Sequence, residues 1–163
     1  MFLRFLFWFC LALAIVGWLL RGVVGRWLWS RRLQLASEAL INDWQQVESN
    51  FLTAAAATGK PRGLAWKSSQ FHDSALLCRD RATGDIYALV GITVSFEAVL
   101  GGGMEDVAAV SNLRCATALL EWRSDQWTTA GRVLFNMEPR EAVEHYPQHL
   151  EAITELSLPS AAN

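Results

Sequence analysis

Residues 86–96 read Ile-Tyr-Ala-Leu-Val-Gly-Ile-Thr-Val-Ser-Phe, and their period of two decides the fold class. In an extended strand, successive side chains point to opposite faces. Ile86, Ala88, Val90, Ile92, Val94 and Phe96 therefore share one wholly apolar face, while Tyr87, Leu89, Gly91, Thr93 and Ser95 form a mixed one. That asymmetry predicts an antiparallel sheet covered on one side by a helix.

Strands are expected on either side of it. Upstream, Leu64 to Gln70 and Ala75 to Arg79 read as two strands, and Asp80-Arg81-Ala82-Thr83-Gly84-Asp85 as a polar turn. Downstream, Gly101-Gly102-Gly103 breaks the run. Val110 to Trp122 and Trp127 to Phe135 then form a hairpin about the turn Arg123 to Gln126, close enough for Trp122 and Trp127 to pair.

The covering helix lies before the sheet. Leu33, Ala36, Leu40, Trp44, Val47 and Phe51 recur in steps of three and four, one face of a helix running to about Ala57. Thr58-Gly59-Lys60-Pro61 ends it. After the sheet, Asn136 can cap a closing helix with Glu138, Glu141 and Glu144 in its first turns, which Pro147 kinks or restarts. Residues 157–163 are expected to be a flexible tail. The fold class is thus α+β: a long helix on four or five antiparallel strands, then a carboxyl-terminal helix. This element order resembles the cystatin-like or NTF2-like class, in which a curved sheet wraps a long amino-terminal helix. The resemblance implies a fold and no residue-level role.

Residues 1–32 read differently. Phe5 to Leu20 (FLFWFCLALAIVGWLL) holds no charged side chain, and with Gly22 to Gly25 it reaches the roughly 20 residues that a membrane-crossing helix needs. The apolar core continues past Ala12-Leu13-Ala14, so a retained anchor is expected rather than a cleaved signal peptide. Arg21, Arg26, Arg31 and Arg32 form a basic collar, with Trp27 and Trp29 at headgroup level. These arginines outnumber Arg4 on the other side, so the expectation is a single-pass protein with residues 33–156 as one α+β domain on the cytoplasmic side.

Charge narrows the partners. Five arginines and no acid in residues 1–32 leave nine basic and sixteen acidic side chains from residue 33 onward, a net −7. An acidic domain argues against nucleic acid, whose phosphates need a basic footprint, while the collar suits the lipid bilayer. Cys78 and Cys115 read as buried small hydrophobes and Cys10 as a lipid-facing residue.

Chemistry-bearing motifs are few. His145 and His149 have helical spacing but Pro147 between them, which argues against a shared metal-binding face. His72-Asp73-Ser74 reads as turn chemistry rather than a nucleophilic triad, whose members come from distant positions. Gly101 to Gly103 lacks the Lys-Ser/Thr sequel of a phosphate loop, and Glu105 and Asp106 follow it. Glu97, Glu121 and Asp125 make no carboxylate pair. No cofactor fingerprint is found. Trp44, Trp66, Tyr87, Trp122 and Trp127 are candidates for a pocket or partner face, with core and cross-strand packing the competing reading for the tryptophans. The sequence therefore points to a membrane-tethered, non-catalytic interaction or assembly module that recognises another protein. The alternative is a small apolar ligand-binding domain, or an enzyme without a recognisable motif, with its pocket between helix and sheet.

Overall fold

The computed structural model describes residues 2–58, 63–104, 107 and 112–159; of residues 2–20, only the side chains at 8 and 17 are described. The chain divides into two compact units, Met1–Leu35 and Ala36–Asn163. Helix α1 (Phe2–Asn42) makes up the first and opens the second. Among the described residues, no helix is long and apolar enough to cross a membrane. The run expected to do so, Phe5 to Leu20, lies almost wholly outside the described side chains.

The second unit is α+β. Helix α2 (Trp44–Thr58) follows α1 after one residue, so the single helix expected from Leu33 to Ala57 is divided at Asp43. The Asp43 carbonyl accepts from the backbone N–H groups of both Gln46 and Val47, each at 3.0 Å. Among the described residues, six strands follow, interrupted by one helix: β1 (Leu64–Asp80), β2 (Ile86–Ala98), β3 (Arg114–Arg123), β4 (Gln126–Thr128), β5 (Val133–Phe135), α3 (Pro139–His145) and β6 (Leu150–Ser157). They form one antiparallel sheet in the order β4-β3-β2-β1-β6, with β5 also paired to β3.

Four departures from the expected sheet have physical causes. The two strands expected over residues 64–79 are one, because His72-Asp73-Ser74 is not a turn: it sits at a register shift between Phe71 and Ala75, where β1 bends but stays paired with β2. The expected fifth strand is split into β4 and β5, since Gly131, between them, presses its backbone onto α2. A Cβ there would come within 2.4 Å of Ala54 C and Ala55 N. The third departure is at the end of the chain. Pro147 ends α3 instead of restarting it, and Leu150–Ser157 becomes β6, pairing with Ser74–Asp80 of β1. Leu158, within the stretch expected to be a flexible tail, is buried and its N–H donates to Asp73 O at 2.7 Å. Residues 160–163 lie outside the described set, as do Glu105, Asp106 and the expected start of β3 at Val110.

Finally, the sheet is covered on both faces rather than one. On the first, Leu40, Trp44 and Phe51 meet the apolar side of β2, all six of whose side chains are buried. Phe71, which pairs with Ile92, makes T-shaped contacts with Trp44 and Phe51 at ring separations of 5.4 and 5.6 Å. On the second, α3 buries Ala142 against Leu76, Cys78 and Leu89. Burying Leu76 and Leu89 there would release roughly 1.5–3 kcal/mol for each of the two side chains, with Cys78 adding to it, so covering the second face is worth a helix.

Candidate functional site

Because α3 is only seven residues long, it cannot cover the whole of the second face. Beside it a cleft of about 170 Å³ opens, lined by His72, Ser74, Leu76, Gly91, Glu138, Pro139, Arg140 and Glu155. The register explains the gathering. The bend in β1 turns His72 and Ser74 into the cleft, Gly91 on β2 forms its floor, and β6 brings Glu155 opposite Leu76. Thr117, paired with Gly91 and fully buried, donates its hydroxyl to Met137 O at 2.7 Å, which fixes the segment that leads into Glu138 and Arg140.

The imidazole of His72 lies directly on Gly91: a Cβ at that position would sit 2.5 Å from Nδ1. Its Nε2 is 3.3 Å from the Thr93 hydroxyl, and Nδ1 is 4.0 Å from Glu138 Oε2. The two members of the histidine–glutamate pair are 40% and 43% exposed, so the pair is a solvent-screened contact and not a buried ion pair. On the opposite wall, Arg140 Nη2 donates to Glu155 Oε2 at 2.5 Å, and this guanidinium holds the Glu155 carboxyl below the usual carboxylate range. The cleft thus has a carboxylate already neutralised by arginine and a histidine with a hydroxyl on one side and a carboxylate on the other. Among the described residues, no three of His, Cys, Asp and Glu converge as a metal site. His145 stacks edge-on against Tyr146, and His149 lies beyond the helix, its carbonyl accepting from Arg81 N–H at 2.8 Å.

None of the five aromatic candidates lines this cleft. Trp44 is buried on α2 against Phe71. Trp66 meets Phe96 edge-on at 5.5 Å. Trp122 and Trp127 face each other across the β3–β4 hairpin at 5.4 Å, and Trp127 Nε1 donates to Ala36 O at 2.9 Å. Tyr87 stands on the other face, half-buried, its hydroxyl pushed above its ordinary pKa by burial and then by the nearby Glu121 charge. Of the membrane-flanking set, Arg21, Arg26, Trp27 and Arg31 are exposed, Trp29 and Arg32 are half-buried, and Arg31 stacks over Trp27 at 5.7 Å.

The cysteines part company. Cys78 is buried, which pushes its thiol up to about 12, whereas Cys115, expected to be buried, is exposed on the part of the second face that α3 does not reach. Both are free.

Sequence reasoning did not gather Glu138, Arg140 and Glu155 around His72, because residues 150–157 read as helix and tail. One signal was available. A glycine inside an otherwise strong strand often marks a place where another group comes close, and Gly91 is such a residue. Comparison with family models, with curated proteins and with solved structures finds no match to this chain.

Proposed function

We propose that this chain is a single-pass, membrane-tethered interaction or assembly module, with its α+β domain on the cytoplasmic side and a partner protein as its target. The observation that carries this reading is the surface of α1. Past the apolar run Phe5 to Leu20, the side chains of Val23, Val24, Trp27 and Leu28 are all exposed, so this part of the helix presents apolar surface. A lipid environment removes that cost. The arginine excess after the run supports the cytoplasmic placement.

A ligand pocket between α2 and the sheet has less support, since Leu40, Trp44 and Phe51 fill that space. For a partner, the domain offers strand edge. Among the described residues, Ser68 to Phe71 of β1 are paired with β2 on one side and with no strand on the other, because β6 reaches only as far as Ser74. An extended segment of a partner could add there through its backbone, with alternate side chains setting specificity. The likeness of element order to the cystatin-like and NTF2-like classes adds no residue role to this reading.

The test is fractionation and topology together. The full chain, carrying a compartment-sensitive reporter joined by a linker after Asn163, should stay with membranes through an alkaline carbonate wash and report the cytoplasm. Release by the wash overturns the tether; retention with an exterior signal overturns the orientation.

A further inference from the structure

Resting on the tethered reading, we infer that the segment Arg21–Arg31 of α1 is a selective site for acidic phospholipids, built as a ring around the helix rather than as a stripe along it. At 3.6 residues per turn, Arg26 lies about 140° and Arg31 about 280° around the axis from Arg21. Arg21, Arg26 and Arg31 are all exposed, and the chain has no acidic residue before Glu38 to pair with them.

The azimuths decide between two ways of meeting a membrane. A helix lying in the interface keeps one apolar face and collects its cations on the other. Here Val23, Val24, Trp27 and Leu28 fall at about 200°, 300°, 240° and 340°, and Arg31 falls among them, so no face stays apolar along the segment. That pattern suits a helix crossing the headgroup layer with lipid on all sides.

Height along the axis points the same way. Arg21 to Arg31 spans about 15 Å, from the edge of the hydrocarbon to just beyond a headgroup layer some 5–7 Å thick, within a Debye length of the surface. Arg21 can reach outward with its long stem, and Arg26 sits at phosphate depth. The Arg31 guanidinium lies over the Trp27 ring at 5.7 Å, a cation–π contact that positions it while its N–H groups can still make the paired hydrogen bonds that suit a phosphate. Three guanidinium groups at three azimuths therefore address three neighbouring lipids, and exposed Trp27 supplies the amphipathic ring favoured at that depth.

The occupant is a lipid phosphate in a net-anionic headgroup, and the test compares lipids directly. The full chain is reconstituted into phosphatidylcholine vesicles doped with spin-labelled phosphatidylglycerol or, separately, spin-labelled phosphatidylcholine. Electron paramagnetic resonance then reads the motionally restricted lipid around the helix. The expected result is a severalfold preference for the anionic label, reduced by 0.5 M salt and lost in an R21Q/R26Q/R31Q variant that still resists carbonate extraction. Equal restriction of the two labels by the wild-type chain while it stays in the vesicles overturns the lipid site alone, as does a preference that the triple variant keeps. Failure of the wild-type chain to remain in the vesicles overturns the tether itself.

Discussion

The imidazole of His72 occupies the volume that a side chain at Gly91 would need. With 2.5 Å between Nδ1 and the position of a Cβ, a side chain at residue 91 and the ring in its present place cannot coexist. The cleft beside α3 exists in its present form because residue 91 is glycine.

Gly91→Ala should therefore displace the ring from the sheet and from Thr93, at a cost of about 1–3 kcal/mol, typical of overpacking. With His72→Ala in place the sign should change, because alanine is ordinarily the better strand residue by about 0.5–1 kcal/mol. Denaturant titration of the four members of the cycle reads this out. Equal destabilisation in both backgrounds would mean that the contact is not what holds Gly91.

Gly131 and Gly84 both have positive φ, 68° and 75°, but different surroundings. At Gly84 a Cβ would meet only the flexible Arg79 guanidinium, the closer atom at 3.5 Å, so Gly84→Ala should cost the backbone strain alone, about 1–2 kcal/mol. Gly131→Ala adds a collision with the α2 backbone and should cost above about 3 kcal/mol. A thermal melt showing the two variants equal would remove the proposed contact between the β4–β5 loop and α2.

Trp127 and Trp122 share a ring contact, yet their indole N–H groups differ. Trp127 Nε1 donates to Ala36 O, whereas Trp122 Nε1 is buried with no hydrogen-bond partner among the described residues. Replacing each with phenylalanine removes a similar volume, so the Trp127→Phe variant should be the less stable by about 1 kcal/mol, the net worth of one hydrogen bond.

Thiol chemistry should separate the two domain cysteines. In a Cys10→Ser background, maleimide at neutral pH should label Cys115 promptly and Cys78 only after unfolding, since the thiolate is the nucleophile and Cys78 is both buried and raised to about 12. Because the folded thiol keeps its proton where the unfolded one, near 9.0, loses it, Cys78 should leave stability unchanged below about pH 9 and weaken the fold as pH rises from there toward 12. Oxidation should not join Cys78 to Cys115. They lie opposite Tyr87 and Thr93, positions about 20 Å apart along β2.

How much of this was legible before the structure depended on the range of the interaction that fixes each element. The β2 alternation, the β3–β4 hairpin with its tryptophan pair, and the helical face of Leu40, Trp44 and Phe51 are local patterns, and all appear where periodicity put them. Strand β6 is the opposite case. Leu150 to Ser157 follows a helix and a proline and has no long apolar run; what makes it a strand is the vacant edge of β1, more than sixty residues earlier in the chain. The bend at His72 was hidden for a related reason. Polar residues that read locally as a turn form instead a bulge, and the pairing of Phe71 with Ile92 and of Ala75 with Val90 on either side carries the strand through them. The cleft depended on both features, so its acidic and basic walls could not be assembled from sequence spacing, although Gly91 marked its floor.

The pairing of β1 with β6 also sets an order of events during synthesis. β1 and β2 leave the ribosome well before the strand that closes the outer edge of Ser74–Asp80, which is made about seventy residues later. Until then the backbone groups on that edge of Ser74–Asp80 lack their β6 partners, at the stage when an open strand is most prone to wrong pairing. A nascent chain paused before residue 150 is therefore a natural client for a holdase chaperone. A truncation that removes β6 should yield insoluble protein rather than a smaller version of the same domain.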